Sequence, residues 1–367
     1  MTLPNSIISD LAETLNLSVI TGVPDSVLAP AVDFLGGQDL SHVRAVNEGS
    51  AVGIAIGSFL ATSRAGLVYF QNSGLSNALN PLLSLAHQNV YGIPMVLLVG
   101  WRGMPGTIDE PQHMVQGEVT REMVSFFSDN LMVLKNELSN LDVQIINEKL
   151  AARQIVVLLV PPKSFVANVP PAELFKSENP SRLDVLRVLV GILRKEDLVV
   201  ATTGYTSREY AYVAQELGLD DLPHFLSVGG MGHSGSIAFG AALNWQGRVF
   251  CIDGDGAMLM HLGSLVSSGM GPANFTHILL RNNLHESVGT QPTAGESFDF
   301  AGLASTAGYE VLGFDELSGL GGVLNQEASG QSRFIEIPIK PGTIENLPRP
   351  KRTPEELLAF LIAARNT

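Results

Sequence analysis

Two runs of apolar residues, Met95–Val99 and Ile155–Val160, constrain this chain most. Neither alternates polar with apolar, so neither is a strand with one wet face. Both are far too short to cross a bilayer, which takes roughly 20 residues. A short unbroken apolar run suits a strand covered on both sides, the environment of a parallel sheet layered between helices. The flanking sequence repeats that unit. Ser18–Thr21, Val43–Val46 and Gly66–Phe70 are β-rich, whereas Ser26–Phe34, Glu48–Thr62 and Gly74–His87 have helical period. Strands alternating with helices predict βαβ units. Right-handed crossovers then place loops at the carboxyl ends of the strands, where such folds bind ligands.

The pattern is interrupted once and then resumes. Between Pro161 and Asp184 there are five prolines (161, 162, 170, 171 and 180), which favour extended chain. This predicts a domain over 1–165, a linker over 166–185 and a second domain over 186–367. In the second half, Leu198–Ala201, Arg248–Ile252, His277–Leu280 and Phe334–Ile337 read as strands. Ser207–Leu217, Ser236–Leu243, Ala257–Ser268, Phe300–Ala307 and Glu355–Ala364 read as helices. The fold class is α/β, with two similar parallel-sheet domains. With 45% hydrophobic and 16% charged residues, a chain of 367 residues can bury two cores.

Charge and cysteine use exclude other classes. Against 36 acidic side chains stand 22 basic ones, a net charge of −14, which argues against a nucleic-acid partner. The single cysteine, Cys251, cannot close an internal disulfide or build a CxxC site, and it suits a reducing compartment. Met1–Asn5 has neither a basic nor an apolar leader segment, and no apolar run spans a membrane. The expectation is a cytoplasmic protein without membrane contact.

The chemistry concentrates in Asp253-Gly254-Asp255-Gly256, directly after the strand Val249–Ile252 and at the start of a helix. Glycines admit a phosphate to the backbone, and a helix N-terminus offers free N–H groups. An Asp there repels a phosphate unless a cation lies between them, and Mg²⁺ takes oxygen ligands shared with phosphates. Asn282, 27 residues after Asp255 and following the next strand, supplies a second oxygen.

Gly254–Gly256 with Asn282 resembles the signature of thiamine-diphosphate-dependent enzymes. The resemblance implies that Asp255, Asn282 and the carbonyl of Leu284 hold Mg²⁺ against the diphosphate. A register one residue later would use Asn283 and the carbonyl of His285; Asn282 is preferred. Thr21–Ser26, Asn47-Glu48-Gly49, Gln71–Leu75, Asn80–Leu82, Gly100–Gly103 and Asp109–His113 narrow the resemblance. So do Thr202–Gly204, Ser207–Glu209, Met231–His233, and Ser287–Gly289 with Gln291–Thr293. Together they are similar to the phosphonopyruvate decarboxylase family, with sulfopyruvate decarboxylase as a near relative, over nearly the whole chain. Arg281, Tyr205, Glu286 and Thr290 depart from the pattern, which more often has Asn, Lys, Asp and Gly at these positions.

The resemblance implies a pyrimidine-binding and a diphosphate-binding domain without a middle domain, and thiamine diphosphate and Mg²⁺ as cofactors. It also implies a homodimer or larger homo-oligomer with active sites at the interface. Glu48 would bond the pyrimidine ring, Met231 would wedge beneath the cofactor, and the Gly229 carbonyl would accept from the 4′-amino group. Thr203, Gly204, His233, Gly254, Gly256 and Ser287 would complete the cofactor site. Asp25, Glu110 and His113, the last two in the loop after Met95–Gly100, would handle the substrate's protons. Arg102, Ser26 and Glu286 would bind the substrate. The implied substrate is a small anionic 2-oxo acid, 3-phosphonopyruvate first, giving phosphonoacetaldehyde and CO₂. Sulfopyruvate, carboligation on the same cofactor, or a non-catalytic nucleotide-binding role are the alternatives.

Overall fold

The computed structural model describes residues 2–35, 41–166, 176–326 and 329–364. The chain divides into two compact units. The first comprises Met1–Pro170 and Ser287–Ala294, and the second comprises Pro171–Glu286 and Gly295–Thr367. The division at Pro170 falls inside the expected linker, of which residues 167–175 lie outside the described residues.

The first unit contains β1 (Ile20–Gly22), β2 (His42–Arg44), β3 (Gly66–Gln71), β4 (Met95–Gly100), β5 (Leu131–Val133) and β6 (Ile155–Val160). They form one parallel sheet in the order β2-β1-β3-β4-β6-β5. The apolar runs of β4 and β6 are wholly buried, because each strand feeds two cores. Val96, Leu98, Val156 and Leu158 join one core, and Leu97, Val99, Val157 and Leu159 join another. Side chains alternate across a strand, so covering both faces removes the need for polar residues.

The second unit contains β7 (Leu198–Ala201), β8 (His224–Leu226), β9 (Val249–Gly254) and β10 (Phe275–Arg281). The short strand β11 (Leu284–His285) follows, then β13 (Glu310–Val311) and β14 (Arg333–Pro338), whereas β12 (Gln291–Pro292) lies in the Ser287–Ala294 segment of the first unit. Its parallel sheet runs β13-β14-β10-β9-β7-β8. With only the strands of each six-stranded sheet numbered in chain order, and read from the second, both sheets have the order second, first, third, fourth, sixth, fifth. Val199, Phe250, Ile252, Ile278 and Ile335 supply this unit's main core.

Several elements differ from expectation. His113 is not in a loop: it lies in the first turn of the helix Pro111–Ser125, which opens with a proline at its first turn after Glu110. The expected linker ends early, at the helix Arg182–Gly191, which a reciprocal capping box between Ser181 and Asp184 starts. The expected helix Ala257–Ser268 is two helices, Asp255–Met260 and Ser264–Gly269, because His261 leaves helical dihedrals. Gly74–His87 is a helix only over Leu75–Pro81 and widens into a π-turn at Leu82–Ala86.

Candidate functional site

In each sheet the strand order reverses beside the unit's first strand, and α/β sheets bind ligands at the carboxyl ends around such a point. In the first unit that point lies between β1 and β3. Asp25 follows β1, is fully buried, and accepts hydrogen bonds from Gln71 Nε2 at the end of β3 (2.9 Å) and from the Leu28 amide (3.1 Å). Burial raises its pKa despite those bonds. Gly100 has to be glycine, because a Cβ there would lie 1.9 Å from Asp25 Oδ2.

Glu48 opens the helix Glu48–Thr62, capped by Asn47 Oδ1 accepting from the Ser50 amide (2.8 Å). Its carboxyl is buried against Gly74, where a Cβ would meet Oε1 at 2.3 Å. Its described side-chain donor is Asn77 Nδ2 (2.9 Å), and no cation appears among its described partners. Burial accordingly raises its pKa.

Arg102 anchors the third group of polar residues in this unit. The Asn72 side chain clamps its backbone N–H and C=O, both at 3.0 Å. Its guanidinium forks onto Asp109, with Nε at 2.7 Å and Nη2 at 2.5 Å, and Nη1 donates to Ser26 Oγ (2.9 Å). The pair holds the Asp109 carboxyl well below its ordinary range. His113 lies where the helix Pro111–Ser125 presses on the Arg102-Gly103 turn: a Cβ on Gly103 would meet the His113 carbonyl at 1.8 Å. Burial, then Arg102, lowers the His113 pKa, and its buried Nδ1 has no hydrogen-bond partner among the described residues. Glu110 accepts from Gln112 Nε2 (2.7 Å).

In the second unit the order reverses between β7 and β9. Thr203 and Gly204 follow β7, with Gly204 at φ +93°, a left-handed value suited to glycine. Gly254 ends β9, and Asp255 and Gly256 open the next helix, both buried. Asp253 accepts the Gly254 N–H (3.0 Å) and lies 3.4 Å from His277 Nε2. A Cβ at Gly254 would touch nothing within 4 Å, so the turn is open on that side. Leu280 is in register with Gly254, which puts Asn282 beside the acidic turn at the same sheet edge. Asn282 Oδ1 accepts the Leu284 N–H (3.0 Å) and Nδ2 donates to Glu286 (2.7 Å). Asn283, at φ +59°, accepts from Arg281 Nε through its own Oδ1 (2.8 Å). Asn282 and Leu284 line a cavity of about 460 Å³ with Arg281, Ser177 and Pro341.

Gly229 and Met231 lie in a turn with Gly230 at φ +63° and Gly232 at φ +90°. Gly232 packs on His261, whose ring stacks 4.4 Å from that of His233. His233 is exposed, with Nδ1 3.1 Å from the Gly230 carbonyl. The hydroxyls of Thr202, Ser227 and Ser234 are buried without partners among the described residues.

Ser287 is exposed and starts the segment assigned to the first unit. Glu286 accepts from Arg182, Asn282 Nδ2 and the Gly342 N–H. Arg281 is likewise occupied, by Asn283, Glu336 and the carbonyls of Gly295, Glu296 and Phe298. Asn77, Arg182 and His261 had no motif to mark them; Gln71, Asn72, Asp109 and Glu209 lay inside quoted motifs without a role.

Residues 1–124 match the thiamine pyrophosphate enzyme N-terminal TPP binding domain, and residues 209–335 match the C-terminal TPP binding domain. Phosphonopyruvate decarboxylase of Streptomyces hygroscopicus is 33% identical over 369 residues, spanning 94% of this chain and 89% of the relative. The same enzyme of Streptomyces viridochromogenes is 31% identical over 368 residues, spanning 94% and 90%. Sulfopyruvate decarboxylase of Methanosarcina acetivorans is 26% identical over 377 residues, spanning 95% and 92%.

Proposed function

The chain belongs to the phosphonopyruvate decarboxylase family of thiamine-pyrophosphate enzymes, and from that premise we propose that it decarboxylates 3-phosphonopyruvate to phosphonoacetaldehyde and CO₂ with thiamine diphosphate and Mg²⁺. The observation that carries this reading is Glu48. A carboxyl buried at a helix start without a cation is costly in a protein that only binds, and useful in one that must protonate a cofactor ring.

The donors in the second unit fit a hard cation and a diphosphate. Asp255, Asn282 Oδ1 and the Leu284 carbonyl are all oxygens, the chemistry that Mg²⁺ prefers. The open side of Gly254 and the unpartnered hydroxyls of Ser227 and Ser234 suit phosphate oxygens. The bonds of Arg281 to Asn283 favour Asn282 over Asn283 as the ligand. Thiamine diphosphate, when bound, supplies the electron sink that lets a 2-oxo acid lose CO₂.

The remaining steps fall to this chain's own side chains. Glu48 holds a proton against the pyrimidine. Asp25, held by Gln71 and the Leu28 amide and with its pKa raised by burial, would return a proton to the carbon that loses CO₂, and His113, kept neutral by burial, would act only as a relay that takes a proton at one ring nitrogen as it gives one from the other. Arg102 uses three of its five N–H groups on Asp109 and Ser26, leaving two for a second anionic group on the substrate. Active sites shared between two chains, and a cytoplasmic location, complete the proposal. Its test is CO₂ release from phosphonopyruvate with both cofactors and with each omitted. Release from sulfopyruvate alone would move the substrate, and uptake of cofactor without release from any 2-oxo acid would sink the decarboxylase reading.

A further inference from the structure

A buried ionic chain runs behind the Asn282 loop. Arg182 begins the helix after Ser181 and donates from Nη1 to Glu209 Oε2 (3.1 Å) and from Nη2 to Glu286 Oε2. The same Glu286 oxygen accepts Asn282 Nδ2 (2.7 Å), and its other oxygen accepts the Gly342 N–H. Thr343 Oγ1 closes the chain on Glu209 Oε1 (2.5 Å). The Arg182 and Glu209 side chains are 5% and 1% exposed and that of Glu286 is 6%, so water does not compete for these bonds.

We infer that Arg182 and Glu286 are positioning residues that fix the orientation of the Asn282 amide, and through it two of the three metal-facing oxygens. Arg182 has donors only, so the Glu286 Oε2 that it reaches faces Asn282 as an acceptor. Asn282 must therefore turn its NH₂ toward Glu286 and its Oδ1 away, because a flipped amide would set oxygen against oxygen. Oδ1 in that orientation accepts the Leu284 N–H, which fixes the plane of the peptide leading to the Leu284 carbonyl. Arg182, donating from Nη2 to Glu286 Oε2, keeps that carboxyl aimed. This inference rests on the proposal that Asn282 and Leu284 hold Mg²⁺, and it concerns what keeps them ready before the ion arrives.

The test is Mg²⁺ titration by calorimetry at saturating thiamine diphosphate, with melting temperatures of the cofactor-free variants alongside. Glu286→Ala is expected to weaken Mg²⁺ by about 10–100-fold, the usual range for a group behind a ligand. Glu286→Gln still presents an oxygen to Asn282 and should recover part of that loss. Arg182→Lys keeps the charge but cannot fork onto two carboxylates, and is expected to weaken Mg²⁺ at a preserved fold; it decides the matter should Glu286→Ala fail to fold. Thr343→Val touches the chain but not Asn282, and should lower the melting temperature with little change in Mg²⁺ affinity. Unchanged affinity in Glu286→Ala or Arg182→Lys overturns the inference. So does Glu286→Gln as weak as Glu286→Ala, which would mean that only the negative charge acts. If the unsubstituted chain takes up thiamine diphosphate without any need for Mg²⁺, the metal proposal falls, and the inference with it.

Discussion

The two units share one strand order and gather polar groups at the equivalent reversal point, yet Glu48 and Asp25 of the first are held differently from Glu286 and Asp253 of the second, whereas Asp109 of the first, forked onto Arg102, resembles the second pattern. In the first, Glu48 and Asp25 are buried with amide donors, and burial lifts both pKa values. In the second, Glu286 is locked to Arg182, and Asp253 caps the Gly254 N–H beside His277. Under the proposed function, the first arrangement would serve proton exchange and the second would fix direction. One topology thus serves two kinds of chemistry, and the side chains at the strand ends make the difference.

The contrast can be broken from either side. The largest effect is expected for Asp255→Ala: Mg²⁺-dependent uptake of thiamine diphosphate should fall by at least about 100-fold, beyond what groups behind a ligand usually contribute. Calorimetry that shows near-normal uptake would remove the acidic turn from the metal site. Next is Glu48→Gln, which should keep the cofactor bound while turnover drops by about 10²–10⁴-fold, the range of a positioned acid or base.

The same substitution sharpens the contrast through stability. The folded pKa of Glu48 lies above its ordinary value of 4.5, so the folded state binds that proton more tightly. Its contribution therefore falls as pH rises from 4.5 through the raised value. Urea unfolding of the cofactor-free protein at pH 7 should find Glu48→Gln more stable than the unsubstituted chain, with the gap closing toward pH 4.5. A variant destabilised at pH 7 would contradict the cost assigned to this buried charge.

Arg102→Gln should raise KM for a substrate with two anionic groups by about 10–100-fold, the equivalent of the roughly 1.5–3 kcal/mol of a charged hydrogen bond. Pyruvate, with one such group, should respond far less; equal losses on both would take Arg102 out of substrate selection. The smallest effect concerns Thr290, at φ +64°. A β-branched residue is strained there, and Thr290→Gly should stabilise the fold by about 0.5–1 kcal/mol in urea melts.

Much of this was legible in the sequence wherever local pattern and burial agree. Met95–Gly100, Ile155–Val160 and Glu48–Thr62 have the bounds that their apolar runs and small-residue period predict. The edge strands Leu131–Val133 and His224–Leu226 were missed, since each is three residues long and too short to show a period. His113, expected in the loop after Met95–Gly100, lies in a helix because Pro111 stands at the helix start, where its missing N–H costs nothing. Glu48, Asp255 and Asn282 carried motifs. Arg182 carried none: it follows a proline-rich stretch, and its partners lie 27 and 104 residues away, a separation that no local pattern encodes.

The excursion of Ser287–Ala294 bears on any attempt to dissect the molecule. Gln291 donates to Asp33 (2.9 Å), and Gly289 approaches Ala29 so closely that a Cβ would come within 2.6 Å of it. A polypeptide truncated at Pro170 would keep its whole six-stranded sheet but forfeit this strap from far along the chain, leaving Ala29 and Asp33 bare. A synthetic peptide carrying residues 287–294, added in trans, would be the natural repair.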